Sequence, residues 1–114
     1  MNDTVQRLVN AILRQEGAPT DSTNPGNLRR VPWLVEPQQY AGGYWKPPKR
    51  AMGVAGAAHV VALAIARGHT LRELITQWAP PSDHNPTEQY IANVKEWAAI
   101  PDENSPLWNF LEDA

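Results

Sequence analysis

A chain of 114 residues with a formal net charge of -2 and no cysteine is sized for one domain, and it excludes disulfide frameworks, thiolate metal sites and cysteine nucleophiles. Near-balanced charge leaves no electrostatic footprint for a nucleic-acid partner. The charge is uneven along the chain, with nine Lys/Arg against four acids in residues 1–72 and one against eight in residues 73–114, which is either a polarised surface or a set of ordinary solvated faces.

The opening MNDTVQRLVN lacks the basic segment, apolar run and cleavage site of a secretory signal, so the chain is expected to be made in the cytoplasm without such a leader. Asp3 with Gln6 fits a capping box. Val5, Leu8, Val9, Ile12 and Leu13 then recur at helical spacing, and Gly17 suits a left-handed stop, so a first helix is predicted over about residues 4–16.

Proline, glycine, asparagine and serine crowd the segment from Ala18 to Arg50, which argues for loops and short strands. LRRVPWLV and QQYAGGYW are read as two edge strands of a small hairpin. A second helix is predicted from about Gly53 to Arg67, apolar or small on nearly every side apart from His59 and stopped by Gly68. Its run MGVAGAAHVVALAIA falls short of the roughly 20 residues of a membrane span, so no span is expected.

Thr70 and Glu73 form a capping box opening TLRELITQW, which APPSD ends. Asn85 as cap, Pro86 at the first helical position and Glu88 completing a box open NPTEQYIANVKEWAAI, with Tyr90, Val94 and Trp97 on one stripe. Ser105 and Pro106 start a short terminal helix, SPLWNFLED. The expected fold class is therefore mainly α (α+β): one small helical domain over residues 1–114 with an irregular loop or short β-hairpin insert after helix one.

Glu16 stands out as an acid at the carbonyl end of helix one, where helix polarity opposes negative charge. Counting back to Leu13, Ile12, Val9, Leu8 and Val5 puts it on the inward stripe. Burial and the helix end then both favour the neutral form, and a carboxyl protonated near neutral pH suits general-acid cleavage of a glycosidic bond, on the pattern of the lysozyme acid. The competing reading turns Glu16 outward to pair with Arg14, Arg29 or Arg30. Pro25 and Gly26 make a turn that can hold Asn24 and Asn27 facing the helix end, where amides bind acetamido groups and hydroxyls or simply tie the turn.

AILRQEG followed by TNPGNLR, a glycine-bearing helix and GHTLRELITQWAPPSDHNPTEQYIANV resembles a lysozyme-like group of phage and prophage virion proteins that degrade peptidoglycan, related to lytic transglycosylases. The likeness runs from about Val5 to Ile100. It implies Glu16 as catalytic acid, Asn24 to Arg29 as the loop it faces, and Tyr90 as a cleft-side tyrosine orienting or stabilising the transition state. It further implies peptidoglycan glycan strands as the partner, virion proteins as companions, action in a virion or in the host periplasm and wall, and no cofactor. Thr23 stands where the group often has another asparagine, and KRAMGVAG lacks the group's aromatic residue before the second helix.

A hydrolase normally needs a second carboxylate, for which Asp21 and Asp83 are the candidates. Lytic transglycosylases use one acid, a route that a lone well-placed Glu16 favours. Trp33, Tyr40, Tyr44 and Trp45 could stack on sugar faces, with Gly42 and Gly43 lending mobility. Trp33, Trp78 and Trp97 suit core packing instead. Tyr44, Trp45 and Arg29 join Asn24 and Asn27 as expected substrate contacts, and Arg29, Arg30, Lys46, Lys49 and Arg50 suit the carboxylates of peptide stems.

Two rival classes compete with this reading. A DNA-binding helix-turn-helix from TLRELITQW and the Tyr90 helix fails on its long connector, APPSDHNP, and on acids in the would-be recognition helix. A structural virion protein without activity would keep the fold alone. His59, His69 and His84 show no metal-ligand spacing, so no metal is expected.

Overall fold

The computed structural model describes residues 2–112. Helix α1 spans Asp3–Glu16 and ends on Gly17, whose φ of 62° is left-handed and whose N–H bonds the Leu13 carbonyl at 3.1 Å. Its start differs from the expected Asp3 and Gln6 box. Asn2 is the cap, its side chain accepting from the Thr4 N–H at 3.0 Å. Glu112, from the far end of the chain, accepts from the same N–H at 3.0 Å and from Thr4 Oγ1 at 2.8 Å. A carboxylate at the positive end of a helix is a favourable placement, and a contact 108 residues away leaves no trace in local sequence.

The segment after α1 forms one two-residue hairpin, β1 (Tyr40–Ala41) against antiparallel β2 (Tyr44–Trp45). Both strands come from QQYAGGYW. LRRVPWLV forms no strand, and its only ladder-like bond is from the Trp45 N–H to the Leu28 carbonyl at 2.8 Å. Gly42 and Gly43 have φ of 58° and 83°, the two consecutive left-handed residues that a tight two-residue hairpin turn demands. Their role in the structure is therefore the turn itself.

Helix α2 spans Arg50–Ala66, starting three residues earlier than the glycine pattern suggested. Gly68 follows at φ 77°, with its N–H on Ile65 and that of His69 on Ala64, both at 3.0 Å, a Schellman ending. Gly53, Gly56, Ala57, Val61, Ala64 and Ile65 are buried, whereas Ala55, His59, Ala62 and Ala66 are exposed. The helix therefore keeps a solvent face made of small residues, which the sequence did not reveal because alanine reads as apolar wherever it sits. His59 on this face stacks on Trp33 at 4.5 Å between ring centroids.

Helix α3 spans Leu71–Trp78 behind the expected Thr70–Glu73 capping box, with bonds of 3.1 and 3.0 Å. Helix α4 spans Thr87–Trp97 and has no side-chain cap. Asn85 bonds the Pro80 carbonyl instead (3.1 Å), Thr87 Oγ1 bonds the Ala79 carbonyl (2.7 Å), and Glu88 pairs with Arg72 (2.7 Å). The 79–87 connector thus closes on its own first residues, and the Glu88–Arg72 pair ties the start of α4 to α3. The terminal segment makes a 3₁₀ turn over Leu107–Phe110 rather than the longer helix expected; Asp113 of that prediction lies outside the described residues.

Two apolar clusters hold these parts. The larger joins Leu8, Val9 and Ile12 of α1 with Val61 of α2, Leu71, Leu74 and Ile75 of α3, and Tyr90, Ile91 and Val94 of α4. The smaller, Leu28, Val31 and Trp45 with Trp33, Met52 and Trp78 around it, seats the irregular segment on α2. A β-carbon at Gly53 would lie 1.8 Å from the Thr23 carbonyl oxygen, and one at Gly56 would lie 2.6 Å from the Trp45 ring. Loop and tryptophan therefore approach the helix backbone as only glycine allows. Among the described residues no helix is long and apolar enough to cross a membrane.

Candidate active site

The left-handed Gly17 turns the chain away after Glu16 and leaves that side chain at the junction of α1, α4 and the returning loop. The loop comes back through Asn24-Pro25-Gly26-Asn27, a turn closed by the Asn27 N–H on the Asn24 carbonyl at 3.0 Å. Trp78 pins this turn from α3, its indole N–H bonding the Gly26 carbonyl at 3.0 Å. Asn27 itself takes φ 52°, a conformation asparagine tolerates better than most side chains. Its amide then donates to Glu16 Oε1 at 3.2 Å.

The Glu16 carboxyl is half-buried, and among the described residues it pairs with no cation. Arg14 lies over the Trp97 ring at 3.9 Å and Arg29 over the Tyr44 ring at 5.0 Å, so neither neutralises it. Burial raises its pKa above the ordinary carboxylate range, while the Asn27 amide and the Tyr90 hydroxyl act more weakly in the opposite sense. Of the two readings of Glu16 open in the sequence, the inward one describes the structure.

Tyr90, in the first turn of α4, is 3 % exposed. Its hydroxyl is buried near the Glu16 carboxyl and completes no hydrogen bond to a protein group. Burial first, and then the negative charge Glu16 would carry, push its ionisation far above the normal tyrosine range, so the phenol stays a neutral donor. A buried hydroxyl is costly to keep without a good partner, and its one polar neighbour among the described residues is the Glu16 carboxyl, which it meets without ideal geometry.

Next to Asn27 opens a groove of about 220 Å³, walled by Asn27, Leu28 and Arg29 on the loop side and by Leu74, Trp78, Pro80 and Asp83 opposite. Glu16 is not part of its lining; Asn27 connects the two. Asp83 is thus brought to the groove, whereas Asp21 sits exposed in the loop and is not part of the groove lining. Arg29, on the groove wall, carries Tyr44 with it through a further bond of 3.4 Å from the guanidinium to the phenol oxygen.

Two expected sugar contacts serve the fold instead. The Asn24 amide gives both hydrogens to backbone carbonyls, of Leu28 at 2.9 Å and Trp45 at 2.8 Å, and its oxygen accepts from the Leu28 N–H at 3.0 Å. No donor remains for a ligand. Trp45 is 3 % exposed, its ring against Gly56 and its indole N–H on Gln38 at 3.1 Å, so it offers no face for stacking. Trp33, Trp78 and Trp97 are all half-buried against the two clusters.

Sequence reasoning missed Trp78 as the anchor of the Asn24–Asn27 turn, and it missed a polar tie beside Glu16. There the Asn93 amide donates to Gln15 at 2.8 Å and Gln89 donates to Asn93 at 2.8 Å, joining α1 to α4. The Gln89–Asn93 spacing of four residues was the available signal. The chain matches no protein-family model, no curated protein and no solved structure.

Proposed function

We propose that the protein is a peptidoglycan-cleaving enzyme, a muramidase or lytic transglycosylase acting on the bond between N-acetylmuramic acid and N-acetylglucosamine. Glu16 is its general acid. The observation that carries this reading is the half-buried Glu16 carboxyl, raised in pKa, bonded by Asn27 and set beside the buried Tyr90 hydroxyl. The resemblance of the Glu16–Gly17 helix end, the NPGNLR turn and the following block to phage and prophage peptidoglycan-degrading proteins supports it, and makes a virion the setting in which the chain meets the wall.

In the first step Glu16 gives its proton to the glycosidic oxygen as the bond to the muramic acid anomeric carbon breaks. Tyr90, its hydroxyl buried against the carboxyl, positions Glu16 for this transfer. The Glu16 carboxylate then takes the proton of the muramic acid's own primary hydroxyl as that oxygen closes on the anomeric carbon. The acid is restored, an anhydro ring forms and no water is consumed. Asp83 favours a second route, because a carboxylate on the groove wall can take a proton from water as the water attacks the same carbon, which yields a hydrated end.

Mass spectrometry of purified murein treated with the wild type and with Glu16→Gln tests the proposal. Anhydro ends identify the first route and hydrated ends the second. Undiminished release by the variant removes Glu16 from the role, and no release by the wild type leaves the chain as a structural virion component with the same fold.

A further inference from the structure

Arg29 also lines a second cavity, of about 650 Å³, between residues 29–32 and the hairpin. Its lining is Arg29, Arg30, Val31, Pro32, Tyr40 and Gly43. That lining has two arginines and no acid. Among the described residues neither Arg29 nor Arg30 takes part in a salt bridge. Arg29 is held over the Tyr44 ring, and the Tyr40 hydroxyl meets the Val31 N–H at 3.4 Å, so the hairpin fixes one wall against the other. Its volume falls within the range of roughly 300–1,000 Å³ that encloses a ligand of drug size.

Two unpaired guanidiniums on a concave, otherwise neutral and apolar surface select a planar anion, because each presents a fork of donors that matches a carboxylate. Arg29 belongs to both cavities. A glycan strand in the Asn27–Asp83 groove therefore brings whatever hangs from its muramic acid to the neighbouring cavity. That substituent is a short peptide ending in carboxylates. Resting on the activity proposed above, we infer that the Arg29–Arg30–Tyr40 cavity is a subsite for the carboxylates of the peptide stem, so that the enzyme distinguishes peptide-bearing strands from bare glycan.

The test compares initial rates on peptide-bearing murein strands and on the same strands stripped of stems by an amidase. The wild type is expected to show kcat/KM about tenfold higher on the peptide-bearing strands, mainly through KM, the scale of one charge-assisted hydrogen-bonded contact. Arg30→Gln is expected to bring the ratio of the two rates close to one, and Arg30→Lys to restore part of it. Cleavage of both substrates at equal wild-type rates, or an unchanged ratio in Arg30→Gln, overturns the subsite.

Binding of a soluble disaccharide-peptide, read from backbone amide shifts of residues 29–32 and 40–43, reports on the cavity without turnover. Those shifts are expected to vanish when the stem is absent or its carboxylates are amidated. If the wild type cleaves neither substrate yet shows the stem-dependent shifts, the proposed activity fails and the subsite stands. Cleavage without them leaves the activity and removes the subsite. Equal shifts from inorganic phosphate identify an unselective anion site and also overturn the assignment.

Discussion

The two ends of α1 each hold a carboxyl group, and they treat it in opposite ways. At the N-terminal end Glu112 accepts from the Thr4 N–H, from Thr4 Oγ1 and from Arg7 at 3.0 Å, and these bonds hold its pKa down to about 2. At the C-terminal end Glu16 has one amide donor at 3.2 Å and is half-buried, and its pKa is raised. Helix polarity adds to both effects, since it favours an anion at the first end and disfavours one at the second. The first carboxyl suits a permanent staple. The second suits a proton donor.

The strongest way to break this contrast is Glu16→Gln. Loss of a general acid typically lowers the rate by about 10²–10⁴-fold, and murein release by this variant is expected to fall within that range. Stability should move the other way. A carboxyl whose folded pKa lies above its unfolded value contributes stability fully present below the unfolded value and lost as pH rises through the folded one. Glutamine does not ionise, so Glu16→Gln is expected to melt above the wild type at pH 7 in calorimetry. The wild-type rate should also fall as pH rises past the ordinary carboxylate range.

Gly53→Ala attacks one end of the helix alone. The added β-carbon would stand 1.8 Å from the Thr23 carbonyl oxygen, so the loop that carries Asn27 must lift off α2. Overpacking of this kind typically costs about 1–3 kcal/mol. The expected result is that loss together with a large fall in activity. Carboxyl NMR titration should find the Glu16 pKa moved and that of Glu112 still near 2. A shift at both ends would mean that the ends are not independent.

Why the sequence disclosed some of this and hid the rest follows from distance along the chain. The stripe Val5 to Leu13, the Gly17 stop and the Thr70–Glu73 box are local patterns, and they placed α1, α3 and the inward direction of Glu16. Asn27 was legible because Pro-Gly turns carry recognisable flanking residues. Asn24 looks the same in sequence, yet only the turn's seat on Trp45 and Leu28 decides that its amide faces inward. Trp45 was misjudged for a related reason, because the gap it fills is made by Gly56, eleven residues later. Glu112 was invisible, since its partners lie at the other end of the chain.

Tyr90→Phe sharpens the comparison with a smaller change. The buried hydroxyl meets the Glu16 carboxyl without good hydrogen-bond geometry, and a poorly satisfied buried group costs about 1–3 kcal/mol, so the phenylalanine variant is expected to be at least as stable as the wild type. If the hydroxyl positions the Glu16 carboxyl for proton transfer, kcat should nevertheless fall by about tenfold, the scale of one hydrogen bond strengthened in the transition state. The hydroxyl also lowers the Glu16 pKa slightly, so the alkaline limb of activity should move upward. Unchanged kcat with raised stability would leave Tyr90 a core residue only.

Glu112→Gln probes the other end and should have the smallest effect, with no loss of activity beyond that due to stability. Its carboxylate is exposed, so its bonds compete with water and salt. A depressed folded pKa contributes stability that is present above the unfolded carboxylate value and lost as pH falls through about 2. The variant should therefore melt a few degrees below the wild type at neutral pH, with the gap closing on acidification. For Glu16→Gln the gap has the opposite sign and opens as pH rises. Added salt should shrink the first gap and leave the second, because screening weakens exposed charge pairs but does not restore water to a half-buried carboxyl. Two difference curves running the same way with pH would remove the contrast between the helix ends, and with it the physical reason for placing the proton donor at Glu16.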